Sequence, residues 1–386
     1  MFICLLMPTF VFSQEKQEID SLTQQELWKQ PDFVRAYYVV AEPGGALYSV
    51  FGHAALHLAC PAYGLDYVFS YESEGAINRL WSFLAGNLKM GMTALSLEEY
   101  LSGYAEEGRG VKQYEFNLPI NKKRELWRVL DEKVQEGMFL PYDYEARGCA
   151  YSCVAILEEA LGDAKIEYGE WSPRFNRTRR EIANDNIKHT YPWNLLALNT
   201  VVGADFDKVN DVTEKLIMPN ELAEVWQQAK FNGEYLLSRD AQQLLPSRVT
   251  HQKTWFTPIM AALLLLVLAI VSWFIEKPYI DWLILAIVTL LGVVVMYLVL
   301  VSSLPCTKWN WLIIPFNILP ALCWKWRRYW ALSYAVVICL WSGVIIAWPS
   351  TLTDEAWVGV AIALVITLLN RRNNSLNKIF PWRGKI

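Results

Sequence analysis

From Trp255 onward the chain is written for a different solvent. The runs 255–275, 279–304 and 329–349 are almost uninterrupted apolar sequence, each long enough to cross a hydrocarbon core of about 30 Å at about 1.5 Å per helical residue. Two shorter runs, 309–324 and 356–370, bring the expected number of spans to about five. A lipid interior leaves no water to satisfy peptide groups, so these runs are expected to be helices. Trp and Tyr stand near many of their ends, as interfacial anchors do.

Basic residues set the expected orientation. Lys325, Arg327 and Arg328 flank one connection, and Arg371, Arg372, Lys378, Arg383 and Lys385 follow the last run, whereas 350–356 carries only Asp354 and Glu355. The positive-inside rule puts the two basic groups in the cytoplasm. Residues before 250 then lie outside, which requires an odd number of crossings. The opening MFICLLMPTFVFSQ reads as a secretory signal cut near Ser13-Gln14, without the usual basic start. The expected division is a signal peptide over 1–13, an exported domain over 14–250, a membrane domain over 251–375 and a cytoplasmic tail over 376–386. The net charge of −4 and the lack of a basic aromatic stripe argue against nucleic acid as a partner.

The exported part reads as α+β. Val34–Val40 is a strand, Pro43-Gly44-Gly45 a turn, Tyr48–Leu58 a second strand bearing two of the chain's four histidines, and Tyr67–Tyr71 a third, forming a small meander. Asn78–Met90 has helical spacing, and Ser96 caps a helix running to Tyr104. Val111–Leu118 alternates as a strand, and Asn121–Gln135 is a helix capped by Asn121. A loop, YDYEARG, then delivers the chain to Arg147–Leu161, an apparent helix that stops at Gly162. Trp171–Arg180 is basic, and fits either a solvated loop or a surface for anionic headgroups.

Cys149 stands at the mouth of that last helix, where backbone N–H groups and the helix dipole favour a thiolate. A cysteine with a distant histidine is a candidate nucleophile and base. His53 follows Gly52, which permits close approach, and is the preferred base; His57, four residues on, shares its face if the strand is regular. Cys153 falls one turn into the helix among Val154, Ile156 and Leu157 and reads as a core cysteine. Alternatives are a structural disulfide among Cys60, Cys149 and Cys153, with Cys306 as a possible further partner, or a zinc site from Cys149, Cys153, His53 and His57. No accompanying ligand pattern supports zinc, so neither a metal nor another cofactor is expected.

The succession YYVV, a Pro-Gly turn, LYSVFGHAAL, YVFSYES and a distant YDYEARGCAYS, followed by a segment bearing Trp, Asp and Pro, resembles the Lnb N-terminal periplasmic domain family. Members of that family are similar to circularly permuted NlpC/papain-like proteins such as lecithin:retinol acyltransferase, in which histidine precedes cysteine. The resemblance implies a permuted papain/NlpC-like exported domain before the membrane helices. By it, Cys149 is the nucleophile and His53 the base, with Tyr71 or Glu72 on the third strand as the residue that orients His53. The chain departs from the family at Gly148, where an asparagine is usual, and at Glu72, where a glycine is usual. The whole chain is similar to an Lnb-type lipoprotein N-acyltransferase of the bacterial inner membrane. Its implied partners are a phospholipid acyl donor, a diacylated lipoprotein acceptor and the membrane. A membrane-anchored cysteine peptidase or amidase acting on cell-wall peptides is the alternative from another class, and a catalytically silent scaffold a third.

Overall fold

A computed structural model of the protein describes residues 28–73, 84–137, 140–141, 148–169, 177–187, 191–209, 218–249, 254–275, 278–304, 307–347 and 355–370. The expected signal peptide, the YDYEARG loop up to Arg147, residues 171–176, Cys306 and the basic tail from Arg371 lie outside them.

The part that precedes the long apolar helices is built on one antiparallel sheet. Its strands are β1 (Arg35–Ala41), β2 (His53–Cys60), β3 (Leu65–Ser73), β4 (Lys89–Ser96), β5 (Val111–Glu115), β6 (Leu140–Pro141) and β9 (Gln242–Leu245), in the order β6-β4-β3-β2-β1-β5-β9. A two-stranded ribbon, β7 (Lys230–Phe231) and β8 (Glu234–Tyr235), stands apart. The expected meander is therefore the centre of a wider sheet, closed on its far side by β5 returning to pair with β1. Lys89 and Met90 belong to β4, so the helical spacing read through Met90 ends in a strand; 74–83 lie outside the described residues. Leu47–Ser49 is a single helical turn, and β2 starts only at His53.

Both faces of the sheet are covered, which is why β2 (HAALHLAC) is apolar at alternate and intervening positions alike. Tyr38, Val40, Ala54, Leu56, Leu58 and Phe69 pack under α2 (Ile120–Glu136), α3 (Cys149–Leu161) and α6 (Pro219–Gln228). Val39, Ala41, Ala55 and Val68 face α1 (Leu97–Glu106) through Tyr100. Ser96 caps α1 by accepting from the Glu99 N–H at 3.2 Å. In α2 the cap position is Pro119, with no side-chain bond, and Asn121 already lies inside the helix. Proline suits that place because a helix's first N–H groups have no internal acceptor.

A second cluster joins this part to the membrane helices. Val50 and Phe51 pack with Ile182, Ile187, Leu195, Leu198 and Leu304, residues of α4 (Arg179–Ile187), α5 (Pro192–Val201) and the chain beyond the second membrane helix. Arg180 is buried here, donating to Asp207, Asn199, Val202 and Gly203. The end of the basic stretch therefore serves the core rather than solvent or headgroups.

The membrane part contains α7 (Pro258–Ile275), α8 (Pro278–Leu300), α9 (Arg327–Ala347) and the shorter α10 (Glu355–Leu369). Three of these helices are long and apolar enough to span a membrane. Of the two shorter apolar runs, 309–324 is not a spanning helix: it breaks into single turns at Trp311–Ile313 and Leu319–Leu322. Its ends nevertheless lie at opposite ends of the bundle. Asn310, at its start, donates to the Asn199 and Thr200 carbonyls of α5, whereas Trp324 packs with Leu285, Ala331 and Leu368 near the other end, where Asn370 bonds Ser272 and Asp281. Irregular backbone at that depth survives only when protein covers it. Leu312, Ile313 and Phe316 are buried against Val295, Ile338 and Trp357, and Gly292 lets the chain lie directly on α8, since a Cβ there would stand 2.7 Å from the Asn317 carbonyl carbon.

Candidate active site

Cys149 is the first residue of α3, preceded by extended Gly148. The Ser152 N–H closes the first turn on the Gly148 carbonyl at 2.9 Å. Val154, Ile156, Leu157 and Leu161 are buried under the sheet and fix the helix, so the thiol at its mouth has little freedom. The thiol itself is half-buried. Burial raises its pKa, and the N–H groups of Ala54, Ala150 and Cys149 and the charge of Arg109 pull it down by less. The helix start thus opposes desolvation without overcoming it, and the resting group is a thiol. Cys153 is buried one turn deeper, its pKa raised further by burial. Cys60, Cys149 and Cys153 are all free, so no bridge joins them.

His53 opens β2 opposite Ala41. Gly52 makes this possible: its φ is +80°, and a Cβ there would stand 2.5 Å from the Ala41 carbonyl oxygen. His53 Nε2 lies 2.7 Å from Ser70 Oγ, a fully buried hydroxyl on β3. Desolvation, helped by Arg109, lowers the imidazole from 6.5 to about 4, so it is neutral around pH 7. His53 and Cys149 meet at Ala54: this next residue after the histidine sends its N–H to the sulfur, while the ring turns to Ser70. No hydrogen bond joins the ring to the sulfur among the described residues.

Tyr71 and Glu72 follow Ser70 on β3 and are half-buried. By alternation Tyr71 shares the face of Phe69, toward α3, and Glu72 shares that of Ser70, where its charge helps to raise the hydroxyl pKa values of Tyr100 and Tyr104. The recorded hydrogen bond of the His53 ring goes to neither. Ser70 escaped the sequence reading: on a strand face that also carries Asp66 and Glu72, one more small polar residue gives no signal. Arg109, buried between Gly108 and Gly110, also escaped.

His57 sits elsewhere. Its Nδ1 is 2.7 Å from Gln113 Oε1 and its Nε2 2.5 Å from Asp66 Oδ1, and the ring stacks on Tyr37 at 5.0 Å. With both nitrogens taken, it does not join Cys149 and Cys153 in a ligand set.

A helix-borne cysteine and a strand-borne histidine thus stand at one end of a sheet, in an α+β chain that goes on into helices long and apolar enough to span a membrane. Residues 25–183 match the Lnb N-terminal periplasmic domain family, so this part of the chain is similar to that domain. No curated protein and no solved structure matches the chain.

Proposed function

We propose that the protein is a lipoprotein N-acyltransferase that carries an acyl chain on Cys149. The observation that supports this reading best is where the site lies. Val50 and Phe51, immediately before Gly52-His53, pack with Leu304 beyond α8. The Ser303 N–H donates to the Ala85 carbonyl at 2.8 Å, Asn194 Nδ2 donates to Gly45 at 3.0 Å, and Trp193 Nε1 donates to Phe256 at the start of α7 at 2.8 Å. The sheet end that bears the cysteine and histidine is the end tied to the membrane helices. A nucleophile held there meets lipid esters without a search through solvent. The basic residues Lys325, Arg327 and Arg328 stand toward the opposite end, which fits a site on the outer side of an inner membrane.

The chemistry follows from the protonation states. With Nε2–H donating to Ser70 Oγ, the Nδ1 lone pair of His53 is left to take the thiol proton as sulfur attacks the ester carbonyl of a phospholipid. The N–H groups of Cys149, Ala150 and Ala54 are the candidate donors to the tetrahedral oxyanion. Collapse breaks the C–O bond, and the imidazolium proton goes to the departing lysophospholipid oxygen, leaving a thioester. The α-amine of a diacylglyceryl-cysteine then attacks that thioester, loses a proton to His53, and releases the cysteine as the amide forms. Catalytic hydrogen bonds often tighten only once substrate is bound, which accommodates the ring's resting position at Ser70.

Purified protein given phospholipid and no acceptor should acquire an acyl group on Cys149, which neutral hydroxylamine releases. A diacylated lipopeptide with a free α-amine should discharge it, and the same peptide acetylated at that amine should not. Cleavage of a cell-wall peptide without any lipid-derived adduct would instead assign the site to a peptidase or amidase.

A further inference from the structure

Between α1 and β5 the chain turns through Gly108, Arg109 and Gly110, and Arg109 is buried, 4 % exposed. Its Nε donates to the Glu42 carbonyl at 2.7 Å, its Nη1 to Glu107 Oε2 at 2.9 Å, and its guanidinium carbon lies 4.7 Å from the centre of the Tyr104 ring. These three contacts fix the plane of the fork. Nη2 is buried too, and has no hydrogen-bond partner among the described residues. A buried cationic donor without an acceptor is costly, and such a group in a native fold calls for a reason.

Its position suggests one. Glu42, which anchors Arg109, directly follows Ala41, the partner of His53. The positive charge is felt at both His53 and Cys149. Glu107 lies to the solvent side, its side chain 38 % exposed, and leaves Nη2 unoccupied. On another side stands Gly44, where a Cβ would meet Arg109 Cδ at 3.1 Å and Ser49 Oγ at 2.5 Å. The Arg109 stem and the Ser49 side chain therefore pack directly on that glycine, which holds the guanidinium in place from this side.

We propose that Arg109 Nη2 binds a phosphodiester oxygen of the acyl donor, so that the site selects a glycerophospholipid over a neutral diacylglycerol. The inference rests on the acyl-transfer reading for the nature of the donor. A short glycerol arm separates the phosphate from the nearer ester, so a phosphate held by Arg109 brings that ester toward Cys149. Guanidinium and phosphate also match in charge and in planar donor geometry.

The test uses lipids that cannot acylate. The full-length protein in a non-ionic detergent is alkylated at Cys149 with iodoacetamide in the presence of a dialkyl-ether phosphatidylglycerol, the corresponding dialkylglycerol, or inorganic phosphate. The ether phospholipid should protect Cys149 at concentrations about ten- to a hundredfold below those needed of the neutral lipid, the range of one charge-assisted hydrogen bond. Arg109→Met should abolish the difference and Arg109→Lys restore part of it. Equal protection by the two lipids in the unmodified protein would overturn the proposal without any variant. An unchanged preference in Arg109→Met would also overturn it, and protection by inorganic phosphate alone would assign the site to a free anion. An Arg109 that served the tetrahedral oxyanion would leave ether-lipid protection unchanged and slow loading from every ester donor alike. Because no ester is cleaved, failure here is separate from failure of the acyl-transfer reading, which shows as absent loading from an ester phospholipid.

Discussion

The two histidines of β2 lie four residues apart on one face of one regular strand, yet they live in different chemistry. His57 is saturated: Asp66 and Gln113 take both ring nitrogens and Tyr37 covers a face. His53 has a single recorded hydrogen bond, to a neutral hydroxyl, and a buried arginine nearby that discourages protonation. A ring tied at both nitrogens has no lone pair to offer, whereas a neutral ring tied at one keeps the other for proton transfer. Position in the sheet accounts for the difference. His57 is inside the ladder, where Tyr37 of β1 and Asp66 of β3 reach it from the neighbouring strands and Gln113 reaches it from β5 across β1. His53 is at the ladder's first rung, beside the mouth of α3.

The largest effect expected at that end is from Cys149→Ser, which should eliminate hydroxylamine-labile acyl loading while the protein stays folded in the membrane. Full activity in this variant would exclude covalent catalysis at Cys149. His53→Ala comes next, with a loss of about 10²–10⁴-fold in loading rate, the usual worth of a positioned general base. The unmodified protein should also keep its base neutral far into acid. The acid limb of the loading rate is expected near pH 4 rather than 6.5. The same shift acts on stability. The unfolded chain takes up a proton at His53 near 6.5 and the folded chain only near 4, so this contribution is whole above about 6.5 and is lost as pH falls toward 4. His53→Gln should flatten that part of the pH–stability curve, and a limb that stays at 6.5 would mean that His53 is not desolvated in solution.

Ser70→Ala should sharpen the comparison with a smaller change. It removes the partner of Nε2 and leaves the base itself, so loading should fall roughly tenfold, as for loss of one hydrogen bond of about 1–1.5 kcal/mol. The effect should vanish in a His53→Ala background. Additive losses in the double variant would show that Ser70 acts independently of the ring.

How much of this was legible depends on what each feature needs. The helix from Cys149 to Leu161 and its stop at Gly162 were readable because apolar spacing and a glycine just past it, here at φ +62°, are local signals. Gly52 before His53 likewise pointed to a special backbone position. Ser70 and Arg109 were not readable, since their partners come from strands and turns far away in sequence: His53 lies 17 residues from Ser70, and Glu42 lies 67 from Arg109. The run 309–324 misled in another way. Hydropathy reports only that a segment tolerates burial, and the packing of Phe316 and Leu312 against α8–α10 satisfies that without a helix. Asn310, Asn317 and Pro315 within the run, residues suited to local turns, were the signal against one.

The smallest effect on chemistry, and the sharpest contrast with His53, belongs to the saturated histidine. His57→Leu fits a buried site in volume but leaves Gln113 Oε1 without its donor and Asp66 without its partner. Asp66 is half exposed, its side chain at 52 %, and water replaces the lost contact there. Gln113 is 4 % exposed, and water does not reach it so readily. The cost should therefore come mainly from the Gln113 side, about 1–3 kcal/mol for an unsatisfied buried group. It should appear as a lower thermal midpoint of the detergent-solubilised protein. Replacing both partners, His57→Leu with Gln113→Leu, should recover part of it, since removing both polar groups avoids the unpaired acceptor. Acyl loading per folded molecule should be unchanged in either variant. A loading defect in His57→Leu as deep as that of His53→Ala would erase the distinction between the two ends of the strand and require proton transfer to pass through both rings.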